Sequence, residues 1–201
     1  QVTAVSNTGK GLSVNASSTI SNLKVAADTE LNVAASKTLS GAVEVAEDKT
    51  LTLSGTGTLG SALKLEGTLE AGASLKVTGL ISVADNATVS IPDANTTLTY
   101  SGGNLTVDAY TFSIGGSGTF GNVADSPIVL AVEDSVLDLT GNGIISGPVR
   151  LEGCTLKASG SPTISGDITQ YDNATIEVAS GQTLTYSGAS LNLGANKLTL
   201  S

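Results

Sequence analysis

Val45-Ala-Glu-Asp48, Leu51-Thr-Leu-Ser-Gly55-Thr-Gly57 and Leu63-Lys-Leu-Glu-Gly67 follow one another, and 86 positions later the chain writes them again. The second copy reads Ala131-Val-Glu-Asp134, Leu137-Asp-Leu-Thr-Gly141-Asn-Gly143 and Val149-Arg-Leu-Glu-Gly153. Apolar and turn residues return in register, while the residues between them change freely. A spacing kept without its surface chemistry is a repeated architecture. The match continues further on, where Asp85-Asn-Ala-Thr-Val89 recurs as Asp172-Asn-Ala-Thr-Ile176.

Shorter units lie inside the long one. A corner phrase reads Lys37-Thr-Leu-Ser-Gly41, Gly57-Thr-Leu-Gly-Ser61, Gly118-Thr-Phe-Gly-Asn122, Gly143-Ile-Ile-Ser-Gly147 and Pro162-Thr-Ile-Ser-Gly166. With its variants it marks about nine units averaging roughly 20 residues, inside the period range of solenoids. Each unit holds three short alternating segments joined by Gly, Asn, Asp and Ser. Three faces joined by such corners describe one coil of a parallel β-helix. Coils stack at about 4.8 Å, so nine make a rod of about 40 Å.

That register predicts columns. Leu23, Val43 and Leu63 stand twenty apart, as do Val25, Val45 and Leu65, and both sets are expected inside. Between them Lys24, Glu44 and Lys64 face out, and opposite charges on adjacent rungs favour pairing by roughly 0.2–1 kcal/mol each. The fold expected is all-β: a single right-handed parallel β-helix, or β-solenoid, of about nine coils with about 20 residues in each. A β-sandwich built from hairpins is the alternative, but it needs no internal repeat of this period.

Composition agrees with the pattern. Aromatic residues make up 3% of the 201, Trp and Met are absent, and there are 24 glycines. Core contacts therefore fall to Leu, Val, Ile and Ala, and many tight turns join short strands. No window keeps the i, i+3, i+4, i+7 apolar spacing of a helix. The net charge of −9 argues against nucleic acid, which demands a basic footprint. There is no run of apolar residues long enough to span a membrane. A lone cysteine, Cys154, makes no internal disulfide.

Residues 18–201 read as the solenoid. Residues 1–17 fit the period poorly, although Val2, Ala4, Leu12 and Val14 alternate as strand residues do. They are expected to form a partial coil, an irregular cap or a strand donated to another molecule. The chain opens on Gln1 without an initiator Met, as either the mature end left by a signal peptide or a trimmed chain would.

The search for chemistry predicts no enzyme, no cofactor and no metal site. Without His there is no ordinary nucleophile–base triad and no imidazole ligand. Cys154 reads as a small buried hydrophobe, an extra residue where Gly67-Thr68 becomes Gly153-Cys-Thr155. Glu47-Asp48 and Glu133-Asp134 occupy equivalent corners, as do Asp85-Asn86 and Asp172-Asn173, so they read as Asx-type turns rather than a glycosidase pair. The Gly-Gly-x-Gly-x-Asp calcium nonapeptide does not occur. One Arg, Arg150, and no Trp argue against a sugar-binding groove.

At Lys49-Thr-Leu-Thr-Leu-Ser-Gly-Thr-Gly-Thr-Leu-Gly60 and Gly67-Thr-Leu-Glu-Ala-Gly-Ala-Ser-Leu-Lys-Val77 the sequence resembles secreted bacterial β-helices. The likeness is to passenger repeats of autotransporter and filamentous-haemagglutinin-like adhesins, and it covers most of the chain from about Ser18. It implies an extracellular, cell-surface place and adhesive or structural work, and it supplies no catalytic residue.

A solenoid leaves unpaired strand edges at its ends unless caps cover them. Here the pattern runs to Lys197-Leu-Thr-Leu-Ser201 in mid-strand. The function expected is an extracellular structural subunit whose copies join head to tail into a surface filament. The residues expected at the joint are Val2, Ala4, Leu12, Val14 and Ile20 at one end, and Leu198 and Leu200 at the other. An adhesive stalk that meets surface glycans or host surfaces is the second reading, and a polysaccharide-active enzyme the third.

Overall fold

The computed structural model describes residues 11–201 and the backbone of Val2–Ala4. Every strand pair among them is parallel, and no helix occurs. The hairpin sandwich is thereby excluded, and the chain is a β-solenoid of nine full coils plus part of a tenth.

Each full coil places one strand on each of three faces. The coil most typical of the stack uses Thr97–Tyr100 on the first face, Leu105–Val107 on the second and Thr111–Gly116 on the third. In the first two coils the opening strand is long and bends through the corner, so Ser18–Val25 and Thr38–Val45 each serve two faces. Residues paired across adjacent coils stand from 18 apart (Thr50 with Thr68) to 25 apart (Ala87 with Phe112). The 86-residue repeat is four such coils, carrying Thr50–Leu53 onto Val136–Leu139 on the third face.

The expected columns are present. Leu23 pairs with Val43 and Val43 with Leu63, while Val25, Val45 and Leu65 form the next column; all six are buried. The third face adds the run Phe112, Leu137, Leu156 and Ile176. On the first face Leu98, Phe120, Ile145 and Ile164 stack in turn. Burying a large aliphatic or aromatic side chain contributes about 1.5–3 kcal/mol, so these columns carry most of the driving force. Helical propensity has no part in it.

Lys24, Glu44 and Lys64 share one outward column, as their spacing requires. Lys24 Nζ lies 3.1 Å from Glu44 Oε1. The second step differs. Lys64 bonds to Glu66 of its own coil, two residues on, and that hydrogen bond raises the lysine's pKa, with a smaller contribution from Glu44. The ladder is one inter-coil ion pair followed by one within a coil. Both are half-exposed, so neither contributes much.

The recurring corner phrase follows from the stacking distance. After each first-face strand the chain turns where the carbonyl of the coil above sits almost on the next Cα. A Cβ on Gly79 would lie 1.8 Å from the Ser61 carbonyl, and one on Gly166 would lie 1.9 Å from that of Gly147. Glycine therefore recurs at most of these corners, with Ser61 and Asn122 in its place in two coils.

At two of the four acidic corners, Asp85 and Asp172 accept at Oδ1 from the N–H of the following Asn, whereas Glu47-Asp48 and Glu133-Asp134 show no such side-chain bond among the described residues. Asn95 N–H donates to Asp93 Oδ1 within one turn. Asn86 Oδ1 instead accepts from Thr111 N–H at 2.8 Å, and Asn173 Oδ1 from Lys197 N–H at 2.7 Å. These two residues are equivalent in the long repeat, and each ties its corner to the next coil. The side chain satisfies a backbone donor that no strand partner reaches.

Candidate functional site: the end coils

The two ends are where backbone pairing stops. Val2–Ala4 lies in register on residues 23–25, and Leu12–Val14 on residues 31–33. Two described rungs therefore stand above the first full coil, on the second and third faces. The first-face part of that coil, residues 18–20, has a strand partner on one side only among the described residues.

This corrects the expected end surface. Ile20 lies on that singly paired first-face edge, but it is half-buried against the core and pairs with Gly41. Val14 is buried at 6% exposure, so its side chain belongs to the core rather than to a joint. Leu12 is exposed at the rim. Val2 and Ala4 pair by backbone within their own chain; their side chains lie outside the described residues.

At the opposite end, Thr185–Tyr186, Leu191–Asn192 and Leu198–Leu200 make the last coil. It stacks on the coil before it, and no described strand pairs with its other edge. Its inward positions are opened to solvent. Leu200 continues the column of Leu156 and Ile176, and exposure along those three runs 0%, 7% and 75%. Leu191 continues from Ile168 and rises from 2% to 46%.

A few polar contacts hold this end. The Tyr186 hydroxyl donates to the Ser190 carbonyl. Gln170, 3% exposed, donates from Nε2 to the Lys197 carbonyl at 2.8 Å, while its Oε1 makes no hydrogen bond within the chain. Leu198 and Leu200 lie in this last described coil. Leu191 and Tyr186 join them, at steps of 23 and 22 from Ile168 and Ile164 that a 20-residue count misses.

Cys154 lies in the core at 4% exposure. Burial pushes its thiol up to about 11, against hydrogen bonds to the backbone of Glu152 and Cys154 that favour the thiolate. The folded chain keeps this proton where the unfolded chain loses it near 9.0. Stability tied to it is therefore intact below pH 9 and falls as pH rises from there towards 11. At pH 8 iodoacetamide should modify Cys154 far more slowly in native protein than in guanidinium chloride, read by mass spectrometry. Equal rates would contradict its buried position.

Among the described residues no three Cys, Asp or Glu side chains gather as a metal-binding group. No described helix is long and apolar enough to cross a membrane. Compared with family models, with curated proteins and with solved structures, the chain matches none.

Proposed function

We propose that this chain does structural rather than catalytic work, as an extracellular β-solenoid subunit whose copies stack end on end into a filament. What supports the reading is the fold of the described residues: parallel coils stacked in register, with core columns that continue as far as Leu191 and Leu200 in the last described coil. Unpaired strand edges above an open apolar core form a template for another coil. The two ends also match in pattern. Leu198-Thr-Leu200 and Leu12-Ser-Val14 both alternate apolar–polar–apolar on the third face, and all strands run the same way. One copy set on another along the axis would bring these strands into parallel register. A head-to-tail contact of that kind does not close, and it yields an open fibre.

Sedimentation velocity over a concentration series tests this. The wild-type chain should form species larger than a monomer as concentration rises, and the double variant L198K/L200K should remain monomeric with an unchanged far-ultraviolet spectrum. Monomeric wild type at every concentration would favour the adhesive stalk instead, a single rod that projects a binding surface.

A further inference from the structure

At the corner between the first and second faces, a groove of about 480 Å³ runs along the axis across the sixth to ninth coils. Its size lies in the range of ordinary ligand sites. Its lining brings together residues far apart in sequence. Arg150 pairs by backbone with Thr169, and two positions on from Thr169 stands Tyr171. The guanidinium sits over the Tyr171 ring, 5.8 Å from Cζ to centroid, and Tyr171 as a residue is 59% exposed. Arg150 is the one arginine in the chain.

Three features define what fits. First, the charged groups of the lining are Arg150 and Asp167, one of each sign, so the groove favours a neutral ligand over an anion. Second, Asn122 lines the groove at 5% exposure and donates from Nδ2 to the carbonyls of Ser126 and Pro148, while its Oδ1 makes no hydrogen bond within the chain. A buried unpaired acceptor is costly unless a donor reaches it. Third, the strands bordering the groove on the second face are paired on both sides, Leu130 to Leu151 and Leu151 to Gln170. No backbone edge is free there to accept an added peptide strand.

We propose that this groove binds a neutral saccharide chain. A sugar ring has an apolar face of C–H groups that stacks on an exposed aromatic ring such as Tyr171. Its hydroxyls both donate and accept, so they use Arg150 as donor, Asp167 as acceptor, and Ser165 and Thr169 as either. An elongated groove on a straight rod presents these groups in succession, as a linear polymer requires. The proposal is independent of end-to-end stacking, because none of these residues belongs to the terminal coil.

The test is a titration of the full chain, followed by amide NMR, with cello-, chito-, manno- and laminarihexaose, and with hexagalacturonate as the acidic control. At least one neutral hexasaccharide should shift the signals of residues 150, 165, 169 and 171. Tyr171→Ala should weaken that binding about tenfold, and Tyr171→Phe, which keeps the stacking face, should retain it. Tyr171 is exposed, so both variants keep the fold, checked by the unchanged remainder of the spectrum. Absence of shifts with every neutral probe overturns the proposal, and so does equal binding by Tyr171→Ala. Shifts with hexagalacturonate alone overturn the assignment to a neutral sugar.

Discussion

Phe120→Ala should destabilise the protein by about 3–5 kcal/mol, in the range of buried aromatic truncations. Phe120 is fully buried, with Leu98 in the coil above and Ile145 in the coil below on the same inward column. Its ring stacks beside that of Tyr100, with centroids 6.3 Å apart and planes 29° from parallel. Tyr100 is itself fully buried, and its hydroxyl accepts a hydrogen bond from Ile81 N–H at 3.3 Å. Truncation therefore opens a cavity and loosens the one aromatic pair that links the fifth and sixth coils. Stacked side chains on either side are held by their own ladders and collapse little into the gap. In a solenoid each coil contacts only its neighbours, so the loss should be felt locally. Urea denaturation should give the size of the effect, and amide exchange should speed up most in the fifth to seventh coils. Uniform acceleration along the chain would contradict nearest-neighbour stacking.

Gly41→Ala should be comparably severe, at about 3 kcal/mol or more, from a different cause. Gly41 adopts φ +114° at the corner of the second coil, and a Cβ there would stand 1.7 Å from the carbonyl oxygen of Ile20. The neighbouring ladder is already irregular, its register shifting between Ile20 and Leu23. An added methyl both strains φ and forces the first and second coils apart, breaking the pairing of residues 18–25 with the second coil. Gly103 separates the two effects. It has φ +100° but nothing within 4 Å of its missing Cβ, so Gly103→Ala carries the backbone strain alone, about 1–3 kcal/mol. Thermal melts of the two variants should rank them in that order. Equal losses would mean that conformational strain, not the distance between coils, accounts for the corner glycines.

The parts of the fold that spacing reveals are those where the coil length is constant. Leu23, Val43 and Leu63 stand twenty apart, and the structure stacks them as that interval requires. Elsewhere the coils lengthen, and the arithmetic slips. Between the fourth and fifth coils the first-face pairing joins Leu75 to Leu98 and Val77 to Tyr100, a step of 23, while adjacent steps on that face are 18 and 22. A one-residue error in such a step would turn a strand inside out, so the corner phrase locates these strands better than counting does. Residues 1–17 were hard to read for the same reason. Seven residues separate Val2–Ala4 from Leu12–Val14, against three or four between the second and third faces of the next coils.

The groove was less legible than the fold. Read from the sequence, a single Arg150 and a chain without Trp argue against a saccharide site. Their significance changes once Arg150 and Tyr171, 21 positions apart, lie one coil apart with the guanidinium over the ring. Proximity of this kind depends on which coil length falls between the two residues. Asn122 is hidden in another way. It ends a first-face strand where other units place Ser or Gly, and only its burial shows that Oδ1 is left without a partner.

End-to-end stacking is tested most directly by imaging. Cryo-electron microscopy of the concentrated protein should find filaments in which the strand ladder runs unbroken from copy to copy, with Leu198–Leu200 of one subunit in parallel register on Leu12–Val14 of the next. Isolated rods of one chain's length, or fibres joined through their sides with both end coils still bare, would contradict it.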